Sequence, residues 1–272
     1  MPTTTTIQSA DGTSLNLLQW APDATPIGDV LLIHGFAEHM GRYEHVADEL
    51  SGKGWTVHGL DLRGHGQSGG ERGHILHWAD YIDDVHAALD DVGRPCFVVA
   101  HSMGGLVLAA TGIQRPGNIR GVVMTNPLIG TAFEPARIKV WGGKVLSKLL
   151  PSFSMPGEVD PDHVCRDPKV VADYKADPLV FDLLRARWGM EVLATQKMAN
   201  AQANDFKLPL MMLVSTGDKV CSAEISRKWF DRTGSSDKDI RVYDELYHEL
   251  FNEPEKQKVL DDMCDWLEAH RA

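Results

Sequence analysis

The stretch Pro95-Cys96-Phe97-Val98-Val99-Ala100-His101-Ser102-Met103-Gly104-Gly105-Leu106-Val107-Leu108 constrains this chain more than any other. An apolar run rich in β-formers ends abruptly at a serine. Two glycines follow, and then a segment that reads as a helix. This is the pattern of a nucleophile elbow, a sharp strand-to-helix turn that holds a serine oxygen out of the backbone. The usual form is Gly-x-Ser-x-Gly; here the first glycine is replaced by Ala100, the smallest residue with a Cβ. Ser102 is therefore the candidate nucleophile.

A chain of 272 residues, 43% of them hydrophobic, can bury one sizeable core, either as one large domain or as a domain with an insertion. Its formal net charge of −11 lacks the basic footprint that a nucleic-acid partner requires. No apolar run approaches the roughly 18 to 20 residues of a membrane span. The start, Met1-Pro2-Thr3-Thr4-Thr5-Thr6, has neither the basic opening nor the apolar core of a secretory signal. Cys96, Cys165, Cys221 and Cys264 form no CxxC pair and read as reduced thiols of a cytoplasmic protein. The 12 histidines include no HExxH or similar ligand spacing, so no metal is expected.

Along the chain, Thr3 to Gln8 and Leu15 to Trp20 flank Asp11-Gly12, a hairpin signal. Asp29 to Ile33, Trp55 to Leu60, the run into Ser102, and Gly121 to Thr125 read as buried strands. Between them Tyr43 to Gly52 and Trp78 to Val92 carry helical spacing. Strands apolar on both faces that alternate with helices imply a mostly parallel sheet covered on both sides. From about Leu128 to Asp205 the alternation stops and prolines punctuate helical pieces. It resumes with Leu210 to Ser215 and Ile240 to Tyr243, and closes with a helix over Val259 to Ala269. The expected organisation is an α/β core of residues 1–127 and 206–272, with a helical cap inserted over 128–205.

A serine hydroxyl is a poor nucleophile unless a base lies within hydrogen-bond reach and a third group fixes that base's tautomer. On such a sheet the partners follow the serine in the order acid then histidine, on loops beyond the carboxyl ends of strands. Asp218 follows the strand Leu210 to Ser215, and His248 follows the strand ending at Tyr243. Asp205 precedes its strand and Asp231 lies in or just after a helix, so Asp218 is preferred. The oxyanion of the intermediate needs amide donors. These are expected from Met103, next to the nucleophile, and from Phe36, in the loop after the third strand.

Three further stretches are read with alternatives. Gly64-His65-Gly66-Gln67-Ser68-Gly69 formally matches GxGxxG, but no helix opens there to receive a pyrophosphate, so a dinucleotide site is not expected. Cys221 is either a thiol beside the pocket, open to electrophiles, or a small inert core residue. The segment Arg137 to Leu150 is basic and apolar within an acidic protein. It either lies at a lipid interface or packs over the tunnel with its lysines solvated.

On the residues His34-Gly35-x-x-Glu38-His39-x-x-Arg42-Tyr43, Asp61-x-Arg63-Gly64-His65-Gly66-x-Ser68, His101-Ser102-Met103-Gly104-Gly105, Tyr174 to Leu179, Asp218-Lys219-Val220-Cys221 and Tyr247-His248, the chain resembles the monoacylglycerol lipases of the α/β-hydrolase family over nearly its whole length. The resemblance implies an α/β-hydrolase fold and a cap over an acyl tunnel. It implies hydrolysis of a small lipid substrate, a monoacylglycerol, without a cofactor, and glycerol contacts at Glu38, Arg42, His101 and Tyr174. Peripheral membrane contact through the cap follows from a lipid substrate. The other readings are a lysophospholipase or general carboxylesterase of the same mechanism, and a hydrolase-like binding protein without turnover. Oligomeric state is not readable from the sequence.

Overall fold

The Asp11-Gly12 signal closes a hairpin between β1 (Thr3–Gln8) and β2 (Ser14–Trp20), with Gly12 at φ +82° and the Asp11 carboxylate accepting the Thr13 amide at 3.0 Å. The computed structural model describes residues 2–133, 137–155 and 160–271. The chain continues through β3 (Gly28–Ile33), α1 (Glu44–Gly52), β4 (Trp55–Leu60), α2 (Ala79–Val92), β5 (Cys96–His101), α3 (Met103–Gln114) and β6 (Ile119–Thr125). These bounds match the sequence reading to within a few residues.

After β6 come α4 (Arg137–Leu149), β7 (Ser154–Met155), α5 (Pro168–Ala176), β8 (Leu184–Arg185) and α6 (Ala186–Ala201). The sheet then resumes with β9 (Leu210–Ser215), α7 (Ala223–Arg232), β10 (Lys238–Tyr243) and the closing α8 (Lys256–Ala269). The stretch between β6 and β9 is mostly helical, as expected. It also holds a two-residue antiparallel ladder, β7 with β8, separate from the main sheet and too short for any sequence pattern to signal. Pro135 and Pro156, two of the prolines that punctuate this stretch, lie outside the described residues.

The main sheet has eight strands in the order β1-β2-β4-β3-β5-β6-β9-β10. β1, β2 and β4 pair antiparallel, and every pair from β4 to β10 is parallel. β4, β5 and β9 are buried along their whole length, which explains their near-continuous apolar composition. Successive residues feed opposite cores. Leu31, Ile33, Val98 and Ala100 pack with α2, α3 and α6, while Val30, Leu32, Phe97 and Val99 pack with α1 and α8.

The loop Asp61 to Gly69, which contains the formal dinucleotide match Gly64 to Gly69, is an internal brace. Asp61 accepts the Met40 amide at 2.8 Å, the Gln67 amide at 2.9 Å and the Asn16 side-chain amide at 2.9 Å. A Cβ on Gly66 would lie 2.1 Å from the Asp61 carboxylate, so only glycine fits there. Arg63 is buried against Asp84 at 2.6 Å and also reaches Asp11 and Ser9. The next helix after this loop is α2.

β5 lies in the middle of the sheet and turns into α3 at Ser102. The two glycines after the serine let the helix approach its neighbours. A Cβ on Gly104 would stand 2.6 Å from the His34 carbonyl oxygen, and one on Gly105 would stand 2.6 Å from Pro127 Cβ. On the other side of the turn, Ala100 fits the core, paired in register with Ile33 and Met124. We therefore expect Gly104→Ala to cost roughly 1–3 kcal/mol through overpacking against backbone. Ala100→Gly should cost about 1 kcal/mol through a lost methyl and a looser strand. Urea titrations of both variants measure these costs.

Candidate active site

Ser102 sits at φ 50°, ψ −112°, a backbone state that L-residues rarely adopt. Its amide donates to the Thr125 carbonyl at 3.0 Å, and its carbonyl accepts the Leu106 and Leu128 amides. The turn is thus tied to β6 on one side and to α3 on the other. The side chain is 5% exposed and opens onto a cavity.

The structure brings Asp218 and His248 to this serine. His248 Nε2 lies 2.9 Å from Ser102 Oγ, and His248 Nδ1 lies 2.8 Å from Asp218 Oδ2. Because Asp218 Oδ2 accepts, Nδ1 carries the proton and Nε2 is left to face the hydroxyl. Asp218 Oδ1 accepts the amides of Val220 at 2.7 Å and Cys221 at 3.0 Å, so both carboxylate oxygens are fixed. The His248 loop is itself held by Asn126, whose side-chain amide donates to the His248 carbonyl at 2.8 Å.

Burial acts to lower the His248 pKa, but the Asp218 charge and hydrogen bond, helped by Glu249 and Glu38, outweigh it and raise the pKa above 6.5. The neighbouring histidine behaves oppositely. His101 is buried beside His248, with ring centroids 4.6 Å apart, and burial together with that neighbour pushes its pKa down to about 3. It stays neutral, with Nδ1 against the Thr125 carbonyl at 3.2 Å and hydroxyl at 3.0 Å. Of these two histidines, only His248 is held ready to carry a proton.

Met103 follows the serine directly, and Phe36 lines the same cavity. A Cβ on Gly35 would be 3.3 Å from Ser102 Cβ, so the loop after β3 abuts the nucleophile. Neither the Phe36 nor the Met103 amide has an acceptor among the described residues, which leaves both donors free. His34 holds this loop. Its Nδ1 donates to the Gly35 carbonyl at 2.6 Å, and its Nε2 accepts the Leu62 amide at 3.1 Å.

Cys221 combines features of both readings made from the sequence. Its Sγ is 3.9 Å from Ser102 Oγ, yet the side chain is buried in the core and does not line the cavity. Burial and the Asp218 charge push its pKa well up, so it remains a thiol. The ligand-type atoms of Asp218, Cys221 and His248 lie within 4.8 Å of one another, but both imidazole nitrogens are already engaged by Asp218 and Ser102.

The cavity, of about 390 Å³, runs from Ser102 under α4 and α6. Phe36, Phe181, Leu184, Trp188, Val192 and Leu193 make most of it apolar. Phe36 reaches across to the inserted segment, its ring 3.9 Å from that of Trp188.

Of the four residues expected at the alcohol end, Glu38, His101 and Tyr174 line the cavity and Arg42 does not. The Arg42 guanidinium lies behind the wall. It donates to Glu38 Oε2 at 2.6 Å and to both oxygens of Glu249 at 2.7 Å, with the Tyr174 ring 4.7 Å above it. Glu38 Oε1 accepts the Gly35 amide at 2.6 Å and the Tyr43 hydroxyl at 2.7 Å. Glu249 was not expected here. It lines the cavity, and the only sequence signal for it was its place directly after His248.

Comparison with known proteins identifies the family. The family model described as serine aminopeptidase, S33, matches residues 24–255. The chain is 39% identical over 262 residues to the monoacylglycerol lipase of Mycolicibacterium smegmatis, covering 92% of this chain and 91% of that one. It is 32% identical over 245 residues to phospholipase YtpA of Bacillus subtilis, covering 88% and 94%. Among solved structures, the monoacylglycerol lipase of Paleococcus ferrophilus superposes with a TM-score of 0.88 at 32% identity, covering 94% of this chain and 99% of that one. The elbow, the strand order and these likenesses place the chain in the serine aminopeptidase S33 family, among the monoacylglycerol lipases of the α/β-hydrolase family.

Proposed function

We propose that the protein hydrolyses the ester of monoacylglycerols to glycerol and a fatty acid through an acyl-enzyme, with Ser102 as nucleophile, His248 as base and acid, and Asp218 as the orienting carboxylate. The observation that carries this reading is the hydrogen-bonded relay from Asp218 through His248 to Ser102, at the end of an apolar cavity.

Ser102 Oγ attacks the ester carbonyl as His248 Nε2 takes its proton. The oxyanion forms against the Met103 and Phe36 amides, each worth about 10²–10³ in rate. Collapse breaks the ester bond, and His248 returns the proton to the departing glycerol oxygen. Water then attacks the acyl-enzyme by the same proton path, releasing the fatty acid.

Residues 128–205 form a cap over the acyl chain in this reading. α4 gives it two faces. Val140 and Gly143 line the cavity, while Trp141 (69% exposed), Val145 and Leu149 (73% exposed) face outward together with Lys144 and Lys148. An outward apolar stripe flanked by lysines is suited to rest on a lipid surface that presents the substrate. The side chain of Lys139, which belongs to the same basic segment, lies outside the described residues. Among those residues no helix is long and apolar enough to cross a membrane.

Ser102→Ala should lower monoacylglycerol hydrolysis by about four orders of magnitude or more and abolish labelling by a fluorophosphonate probe. A hydrolysis panel spanning monoacylglycerols, diacylglycerols, lysophospholipids and short esters tests the substrate assignment. Faster turnover of lysophospholipids or short esters would overturn it.

The base must be neutral to accept the serine proton, and its pKa is raised. kcat/KM should therefore fall as pH drops through a value above 6.5. Asp218→Asn should move that limb to lower pH and reduce kcat by roughly 10⁴.

Flotation with anionic liposomes tests the lipid contact. Lys144→Glu combined with Lys148→Glu should weaken it, by about 1 kcal/mol for each lost lysine. Unchanged flotation and unchanged activity on dispersed substrate would remove the membrane role.

A further inference from the structure

The alcohol end of the cavity carries more negative than positive charge, and Glu249 is the reason. Glu38 and Glu249 both line the cavity, their side chains 3% and 6% exposed. One guanidinium, Arg42, serves both. Two buried carboxylates on one cation leave one unit of negative charge beside the nucleophile, with Asp218 behind His248 adding to it. Arg42 is shut away from any ligand. It is clamped by Glu249 on both terminal nitrogens, bonded to Glu38, and covered by Tyr174. Glu249 is held in turn by the Asn252 side-chain amide at 2.8 Å, while its own amide donates to the Val164 carbonyl at 2.8 Å.

We infer that Glu249 is a specificity-determining residue, which makes the alcohol subsite accept neutral polyol esters and reject esters whose alcohol carries a phosphate or carboxylate. The physical reason lies in what each head group meets. Hydroxyl groups can donate hydrogen bonds to the carboxylates of Glu38 and Glu249, two residues that line the cavity. A phosphate brings only acceptors and negative charge; Arg42 is already neutralised by the two glutamates, and Lys175, which also lines the cavity, is paired with Asp162 at 2.7 Å. Removing the Glu249 charge leaves Glu38 and Arg42 as a balanced pair and loosens the two guanidinium donors that Glu249 now holds. The same residue thus excludes anions directly and keeps Arg42 from binding them.

This inference rests on the ester hydrolase reading above, and its test separates the two. The kcat/KM values for a monoacylglycerol and for the matching 1-acylglycerol 3-phosphate are compared in the wild-type enzyme and in Glu249→Gln. Fluorophosphonate labelling and a thermal melt report that the variant is folded. The neutral-to-anionic preference should be large in the wild type and should fall about 10- to 100-fold in Glu249→Gln, the effect of one charge roughly 6–12 Å away at an effective dielectric near 20. Glu249→Asp, which keeps the charge, should retain most of the preference.

A second measurement needs no variant: glycerol should inhibit the wild-type enzyme at lower concentration than glycerol 3-phosphate does. An unchanged preference in folded, active Glu249→Gln, or stronger inhibition by glycerol 3-phosphate, would overturn the role of Glu249 while leaving the hydrolase reading intact. A wild-type enzyme that labels at Ser102 but turns over no monoacylglycerol would instead defeat the substrate assignment and, with it, this inference.

Discussion

The site depends on one close approach, the crossing of α3 with the ends of β3 and β6. Ser102 adopts a positive φ, at a cost of about 1–3 kcal/mol, and stays there only because its surroundings allow nothing else. The helix start lies against the His34 carbonyl at Gly104 and against Pro127 at Gly105. Hydrogen bonds from Ser102 to Thr125, and to Ser102 from Leu106 and Leu128, close the turn from three directions. Loosening any of these would let the serine relax into an ordinary helix start, and the geometry to His248 would go with it. Ala100 is accommodated at the crossing, buried in the same core as Met103, Leu106 and Val107 of α3.

Electrostatics then sort groups of similar chemistry into different states. His34, His65, His101 and His248 are all buried, and burial alone disfavours the imidazolium in each. Only His248 has a carboxylate bonded to its ring and further carboxylates nearby, and its pKa rises where the others fall. The same balance acts on the thiol of Cys221, which Asp218 and the core keep protonated beside the nucleophile. The acidic excess around Arg42 continues this field to the alcohol end, so the negative charges that support a cationic His248 also shape what can bind next to it.

The inserted segment is coupled to the site through specific contacts, not general packing alone. Tyr174 covers Arg42, Asp177 pairs with His39 at 2.8 Å, Val164 accepts the Glu249 amide, and Trp188 lies tilted against Phe36. Phe36 thus has an unengaged amide in the loop beside Ser102 and a ring in the wall of the cavity. A shift of the segment over the tunnel would be felt at both ends of the substrate.

Strand and helix order, the elbow, and the Ser102, Asp218 and His248 set were legible in the sequence because each rests on local pattern. A buried strand is a short apolar run, a helix repeats every three or four residues, and the positions after β9 and β10 follow from which end of a parallel sheet binds ligands. The Asp61 to Gly69 loop looked chemical but proved to be a brace, since its meaning lies in contacts with Asn16, Met40 and Asp84. Arg42 matched a family motif at the alcohol end, but only the fold showed that Glu249, more than 200 residues away, takes both its terminal nitrogens and that Tyr174 covers it. Sequence by itself determined the elements of the main sheet, their order and the elbow at Ser102, because those depend on neighbours along the chain. Tertiary structure decided which charges share a partner, and therefore the sign of the field at the alcohol end, because that depends on groups brought together only when the sheet closes.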